Sequence, residues 1–387
     1  MTDSEARYAD VPRIRRLLAE SKFDAIIVAW PENVNYLSGF YHPDMRLTWE
    51  RLHIVVWPSG GEPTFVVPRV RADNWNGTPT PSWAPEETRP FIDDIRGYEG
   101  ERLEMVRVVT DVLRERGILS GLVGVEFRSL PIKVSAELSR LLPGIKYDDA
   151  WPLLNEMRQV KTESEVEIIT WANQLTARTI EEVLAGARHG ETEIAVASRL
   201  TEKLQSQGAQ ELSHTIFGGG SRGGQWHPWP SSQKLEDGML VRVDWGIRED
   251  GYSSDIARTA VIGTASNAQR AMFARLSEVH DIVVNATRPG VTAYELVDLA
   301  RRHYERLRME FRWSIVGHGI GLVLHEEPQL TIDYDEPLVE GMTLEIELGW
   351  VDPKQGYHIE DLVYIGHDAT VNLTRPDGPR DLIQTAG

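Results

Sequence analysis

Two aspartates, Asp244 and Asp255, stand eleven residues apart in the C-terminal half of the chain. The dipeptide Asp250-Gly251 lies between them and predicts a β-hairpin, because both residues tolerate the positive φ that a tight turn requires. In one of two registers Asp244 is opposite Ala257, and Asp255 is then its diagonal neighbour, roughly 7–8 Å away at Cα. Carboxylates at that distance can share a metal cluster, although two surface aspartates on an edge hairpin are the alternative.

Two glutamates occupy a second predicted strand pair. Glu347 stands in TLEIELGW and Glu360 in HIEDLVYI, with the loop DPKQG between the two segments. Glu345 alternates with Glu347 on one strand face, and Asp361 adjoins Glu360. Spacing alone therefore leaves open which member of each pair faces a site.

The segment GHGIGLVLHEEPQL lies between the two hairpins and carries His318 and His325. Its glycines let a backbone and a ligand approach closely, although structural histidines are the alternative. Four converging carboxylates would repel one another unless cations compensate, and two divalent ions supply the matching charge. Oxygen ligands with one imidazole suit Mn, Co, Fe or Zn, and the hard oxygen set favours Mn or Co.

The elements that must position these residues fall into two domains, expected at residues 1–155 and 156–387. Strands alternate with helices in the first, which predicts an α/β domain with a small, largely parallel sheet. The expected strands are 24–30, 52–57, 64–68 and 122–127, and the expected helices 11–20, 32–40 and 102–117.

The second domain is expected to be α+β. Thr162 and Glu165 fit a capping box that opens a long helix. A second helix, the aspartate hairpin, two further helices and the glutamate strand pair follow. The order helix–helix–hairpin therefore occurs twice.

Composition limits the class of partner and the kinds of ligand. Lys and Arg number 41 against 59 Asp and Glu, a net charge of −18, which argues against nucleic acid and anionic membrane as partners. The chain has no cysteine, so oxygen and imidazole must hold any metal. The polar start MTDSEARYAD resembles no signal peptide, and no apolar run is long enough to span a bilayer. We therefore expect a cytoplasmic protein.

The order Asp, Asp, His, Glu, Glu, in the contexts VDWG, GYSSDIART, GHGIG, GMTLEIE and IEDLV, resembles the superfamily of methionine aminopeptidases, Xaa-Pro aminopeptidases, prolidases and creatinases. ENVNYLSGF is similar to the N-terminal domain of creatinase and prolidase, and MRQVKTESEVEII to the usual entry into the catalytic domain. The resemblance implies an α/β N-terminal domain, an α+β C-terminal "pita-bread" catalytic domain and a homodimer.

The resemblance also implies a ligand set for two divalent metal ions. Asp255 and Glu360 would bridge the ions, Asp244 would bind one, and His318 and Glu347 would bind the other. This choice selects Glu347 and Glu360 over their neighbours, which the spacing could not do.

Three catalytic roles come from the same resemblance. A water shared by the metals would lose a proton and attack the carbonyl carbon of an amide. His325 would stabilise the oxyanion, and Glu347 would carry the proton to the leaving nitrogen. His227, in GGQWHPWP, would orient that nitrogen.

The substrate is less well defined than the metal ligands. His358 stands where proline-specific members usually carry arginine, two residues before the last ligand, and an imidazole cannot replace a bidentate guanidinium. Trp226 and Trp229 could form an apolar wall for the substrate, with packing of the domain as the alternative. Other candidate contacts lie in the N-terminal segment that approaches the site in relatives, where surface or interface positions are the alternative: Tyr41, His42, Arg46 and Trp49.

Three functions are compatible with these residues. The first is a metal-dependent Xaa-Pro dipeptidase or aminopeptidase. The second is a relative that acts on a small amide or amidine-like metabolite, in the manner of ectoine hydrolase or a lyase. The third is a catalytically silent binding module, which the complete ligand set disfavours.

Overall fold

The protein is described by a computed structural model, which defines residues 7–47, 50–75, 89–100, 102–375 and 381–385. The chain divides into two compact units, Met1–Arg158 and Gln159–Gly387. None of the helices in the described ranges is both long and apolar enough to cross a membrane.

The N-terminal unit is built on one six-stranded sheet. Its strands, in the order β4-β3-β2-β1-β5-β6, are β1 Ala25–Val28, β2 Ile54–Pro58, β3 Thr64–Pro68, β4 Asp94–Tyr98, β5 Gly121–Val125 and β6 Ile145–Asp149. The helices are α1 Val11–Glu20, α2 Pro31–Ser38, α3 Asp44–Leu47, α4 Arg69–Trp75, α5 Arg102–Glu115, α6 Ile132–Leu141 and α7 Trp151–Gln159. The β-branched run of β1 is fully buried, as expected for a strand covered on both faces.

The sheet is mixed, so the expectation of a largely parallel sheet was wrong for its central part. β1 pairs with β2, and β2 with β3, in antiparallel fashion. The other three pairings are parallel. Only residues 59–63 connect β2 to β3, and a parallel connection needs a crossover of a dozen or more residues.

The C-terminal unit contains two five-stranded sheets and four long helices within the described residues. Its first half comprises α8 Glu163–Ala185, α9 Glu193–Ser206, β7 Glu211–Gly219, a 3₁₀ turn Gly220–Gly224, β8 Leu240–Glu249, β9 Tyr252–Ser253 and β10 Ile256–Val261. Its second half comprises α10 Asn267–Ala286, α11 Ala293–Arg306, β11 Ile315–Gly319, β12 Glu326–Thr331, β13 Thr343–Asp352, β14 Gln355–Ile365, β15 Thr370–Asn372 and β16 Ile383–Gln384.

The order helix–helix–hairpin does occur twice, with further strands beside each hairpin. One sheet has the order β16-β10-β8-β7, with β9 on β8, and the other has the order β12-β11-β13-β14-β15. The helix starts follow local sequence: Thr162 and Glu165 form the predicted capping box of α8. Equivalent boxes open α10 and α11.

The two sheets of this unit meet where β10 contacts β14. The Thr259 hydroxyl donates to the His358 carbonyl and accepts from the His358 amide, both at 2.9 Å. The buried Arg258 side chain donates to the carbonyl of Glu360 at 2.6 Å. These bonds fix the aspartate hairpin against the glutamate hairpin.

Candidate metal centre

The aspartate hairpin adopts the register that places its two carboxylates on one face. Asp244 on β8 lies opposite Ala257 on β10, and Asp255 immediately precedes β10. The turn residues Asp250 and Gly251 have φ of 49° and 87°, the positive values that a tight hairpin turn requires.

The glutamate hairpin brings Glu347 directly opposite Glu360. Asp361 points to the other face of β14, because successive side chains alternate along a strand. There it forms an ion pair with Arg258 and accepts a hydrogen bond from Asn372, each at 3.0 Å. Strand alternation therefore separates Glu360 from its neighbour, which the linear spacing could not do.

Glu345 lies on the same face of β13 as Glu347. His318 on β11 is the cross-strand partner of Glu345. Both carboxylate oxygens of Glu345 are buried and lack a hydrogen-bond partner among the described residues. Burial, and next the charge of Asp255, raise the pKa of Glu345 well above its usual value. A neutral carboxylic acid at this position is therefore favoured while no cation is nearby.

The five predicted ligands converge, and two further histidines join them. Ligand atoms lie within 4.8 Å of one another in three overlapping groups: His318, Glu347 and Glu360; Asp255, His318 and His325; and His214, Asp244 and Asp255. His325 is exposed, and its ring stacks on that of His318 with centroids 4.0 Å apart.

The buried atoms of this cluster could hold a metal ion. Nδ1 of His318 donates to the Gly319 carbonyl at 3.0 Å, which orients the ring. Its Nε2 is 3.6 Å from Asp255 and 3.8 Å from Glu360. This Nε2 and Oε2 of Glu360 are buried without a hydrogen-bond partner in the described part of the chain. Orphaned buried atoms are costly, and a divalent cation would satisfy both.

Electrostatics point to the same need for positive charge. Burial, then the charges of Asp255 and Glu347, raise the pKa of Glu360 well above its usual value. Burial also acts to raise the pKa of Asp244, but the hydrogen bond and charge of His214 outweigh it and hold that pKa well below its usual value. Burial acts to lower the pKa of His214, but Asp255 and Asp244 outweigh it and raise that pKa to about 10.

His358 is buried between a predicted ligand and an aromatic ring. Its Nε2 lies 3.1 Å from Glu347, and its Nδ1 lies 3.8 Å from Asp244. Its ring meets Trp313 edge to face at 4.6 Å. Gly349 permits this packing, since a Cβ there would lie 2.2 Å from the Trp313 ring.

The loop that carries His227 has two anchors that the sequence did not reveal. The fully buried Glu193 accepts hydrogen bonds from the amides of Gly219 and Ser231 at 2.8 and 2.9 Å. The buried Arg242 donates to the carbonyls of Gln225 and Trp226 at 2.7 and 2.5 Å. Both ends of the loop are thus tied to the domain core.

The aromatic residues of the loop differ in their placement. Trp226 contacts Trp313, with ring centroids 5.6 Å apart, and so connects through it to His358. His227 is exposed and packs beside Trp226 at 5.5 Å. Trp229 is 73% exposed. The structure thus brings His325 and His358 to the carboxylates and leaves His227 and Trp229 on the exposed loop.

The remaining candidate substrate contacts, Tyr41, His42, Arg46 and Trp49, belong to the N-terminal unit. Arg46 donates to the Tyr41 hydroxyl at 2.6 Å and to Glu32 at 2.8 Å. Trp49 lies outside the described residues. Substrate contact by Tyr41, His42 and Arg46 stays a prediction.

His214 is the residue of this cluster that the sequence analysis did not predict. It lies on β7, which pairs with β8 and was not predicted as a strand. The alternating segment SHTIF, followed by glycines, was the available signal for a strand that could pair with VRVDWG. Trp313 carried no comparable signal, because its contact with His358 depends on tertiary packing.

Comparison with known proteins identifies the family. Residues 167–367 match the model of metallopeptidase family M24, and residues 11–160 match the creatinase/prolidase N-terminal domain. The chain therefore belongs to metallopeptidase family M24, which confirms the predicted prolidase-like family and the assignment to the metal-dependent hydrolases.

The similarity to known proteins extends over almost the whole chain. An Xaa-Pro dipeptidase of Pyrococcus furiosus is 29% identical over 369 residues, covering 94% of this chain and 97% of that protein. A probable dipeptidase PepE of Mycobacterium bovis is 31% identical over 340 residues, covering 87% and 86%. The crystal structure of the prolidase from Pyrococcus horikoshii superposes with a TM-score of 0.80 at 26% identity, covering 95% and 98%. The predicted two-domain fold class is thereby confirmed.

Proposed function

We propose that this protein is a dipeptidase that hydrolyses the amide bond before proline in Xaa-Pro dipeptides, using two divalent metal ions. The observation that carries the proposal is the convergence of Asp244, Asp255, His318, Glu347 and Glu360. Within this set, Nε2 of His318 and Oε2 of Glu360 are buried and lack a hydrogen-bond partner among the described residues. Similarity over nearly the full chain to a protein named Xaa-Pro dipeptidase supports the substrate class.

The proposed ligands divide between two positions. Asp244 would hold one ion, His318 and Glu347 the other, and Asp255 and Glu360 would bridge them. When bound, the ions supply Lewis acidity and lower the pKa of a coordinated water toward neutrality. Mn or Co suits this oxygen-rich set, and Zn or Fe is compatible with it.

The surrounding side chains would bind substrate and move the proton. Glu347, oriented by its 3.1 Å contact with His358, would accept a proton and return it to the leaving nitrogen. His325, whose ring stacks on that of His318, would donate to the substrate carbonyl oxygen. His227, which packs beside Trp226, would orient the leaving nitrogen.

A small amide or amidine-like metabolite is the second candidate substrate. The observation in its favour is that His358 packs between Glu347 and Trp313 at the position where proline-specific relatives usually carry arginine. A buried imidazole in those contacts offers no bidentate fork for a peptide carboxylate.

A substrate panel separates the two candidates. The Mn- and Co-loaded protein would be assayed with Xaa-Pro dipeptides, the same dipeptides with alanine in place of proline, longer Xaa-Pro peptides, and small cyclic or acylated amides. We expect turnover of Xaa-Pro dipeptides above all others. Turnover of the small amides alone, by protein with metal bound, would replace the dipeptidase proposal with the second candidate.

Three finer expectations from the sequence accompany the proposal. They are Mn or Co as the working metal, a homodimer, and a cytoplasmic location. Metal analysis of the purified protein, light scattering and cell fractionation would test them one by one.

A further inference from the structure

A histidine outside the predicted ligand set lies among the carboxylates. Nε2 of His214 is 2.9 Å from Oδ1 of Asp244 and 3.1 Å from Oδ1 of Asp255. Its other ring nitrogen, Nδ1, is 3.0 Å from the Ser213 hydroxyl. The ring therefore points one nitrogen between the two aspartates and has the other hydrogen-bonded.

The backbone makes specific room for this imidazole. His214 pairs across the sheet with Gly246, and the register of β7 shifts between Leu212 and His214. A Cβ at Gly246 would lie 2.6 Å from Cε1 of His214 and 2.3 Å from the Ser213 hydroxyl. Bulges of this kind re-aim a side chain next to functional sites. A glycine and an irregular strand thus combine to admit one ring.

We propose that His214 is a metal ligand through Nε2, completing with Asp244 and Asp255 the first of the two metal positions. The inference rests on the proposed two-metal function. The hydrogen bond between Nδ1 and Ser213 is the kind of outer contact that fixes the orientation of a metal-binding histidine. His318 is oriented in the same manner by the Gly319 carbonyl at the second position.

One imidazole at each position changes the expected metal preference. Carboxylate and water ligands suit Mn, whereas imidazole suits Zn, Fe and later transition metals. Mn or Co was expected for a ligand set in which His318 is the single imidazole. With His214 included, the first position should favour Co or Zn over Mn.

Metal binding to the purified full-length chain tests the proposal directly. Co²⁺ and Mn²⁺ would be titrated into metal-depleted wild type, a His214→Ala variant and a His189→Ala control, with stoichiometry from calorimetry. His189 lies on the surface, its side chain 64% exposed. We expect two Co²⁺ sites in wild type and control, and in the variant a loss of about tenfold or more in affinity at one site only. The loss should be smaller for Mn²⁺.

X-ray absorption at the Zn edge supplies a readout that does not depend on the variant folding. A wild-type protein with two zinc ions should show on average about one imidazole per ion, and the His214→Ala variant about half of that. A wild-type average near one half would overturn the assignment, as would two Co²⁺ sites of unchanged affinity in the folded variant. Either result leaves the two-metal function standing. A wild-type chain that binds no metal would remove both proposals together.

Discussion

Glu345 and Glu347 occupy one face of β13, two residues apart, yet their surroundings differ. Glu347 lies opposite Glu360 and contacts His358. Glu345 belongs to none of the three ligand groups, and its buried oxygens lack a hydrogen-bond partner among the described residues. Only Glu347 should therefore hold a metal and carry a proton.

Amide variants at the two positions provide a matched pair. We expect Glu347→Gln to lower kcat by about 100-fold or more, because a proton carrier and a metal ligand are removed together. Glu345→Gln should stay within about threefold of wild type, since an amide of nearly the same shape replaces a carboxyl that belongs to none of the three ligand groups. Steady-state kinetics with an Xaa-Pro dipeptide measure both. Equal losses in the two variants would contradict the assignment of these roles to Glu347 alone.

At the scale of elements, the buried carboxylate of Glu193 is one of the two anchors of the loop of residues 220–231. Besides the two loop amides, Glu193 accepts from the Ser231 hydroxyl at 2.6 Å and from Arg222 at 3.1 Å. Because this loop carries His227 and Trp226, its order should govern substrate binding rather than metal binding.

Replacing Glu193 with glutamine should loosen that loop. The amide nitrogen of glutamine cannot accept the hydrogen bonds that one carboxylate oxygen now receives. We expect kcat/KM to fall by about tenfold, mainly through KM, with metal stoichiometry unchanged. Glu191→Gln, which alters the nearby ion pair with Arg199, is the control and should leave the kinetics unaltered. A Glu193→Gln variant that loses metal would instead place Glu193 in the support of the ligands.

Element pairing also marks how far the sequence could lead. The Asp250-Gly251 turn left two possible registers for the aspartate hairpin. The structure adopts the register that places Asp244 and Asp255 on one face. His214 was missed because its place depends on the pairing of β7 with β8 and on a register shift that leaves no local pattern. The mixed sheet of the N-terminal unit was missed because the alternation of strands and helices predicts parallel pairing. The short β2–β3 connection, which requires antiparallel pairing, was not taken into account.

At the scale of the whole molecule, the N-terminal unit contains a buried histidine with a clear pH consequence. His53 is 4% exposed, and its ring lies beside those of Phe40 and Phe65. Burial, followed by the charge of Arg71, lowers its pKa to about 4. Between pH 4 and 6.5 the unfolded chain therefore binds more protons than the folded unit at this residue. Stability from His53 rises with pH through that window and is lost on acidification.

His53→Phe should remove this dependence. At pH 5, protonation of His53 in the unfolded chain lowers the unfolding free energy of the wild type by about 2 kcal/mol. A phenylalanine variant has no such loss. We expect the unfolding free energy of the variant minus that of the wild type to be larger at pH 5 than at pH 7.5. Denaturant titration at the two pH values measures both. His367→Phe is the control, because its side chain is 80% exposed. A difference that is equal at the two pH values would show that His53 does not titrate in this window.

The most direct test of the metal-dependent peptidase combines chelation with one ligand variant. Wild type and Glu360→Gln would be stripped of metal, assayed for hydrolysis of an Ala-Pro dipeptide, and assayed again after Mn²⁺ or Co²⁺ is added back. Metal content is measured on the same samples. We expect stripped wild type to lose about 100-fold or more of its turnover and to recover it on reloading, and Glu360→Gln to stay inactive throughout. Full turnover by wild type shown to be free of metal would contradict the proposed mechanism.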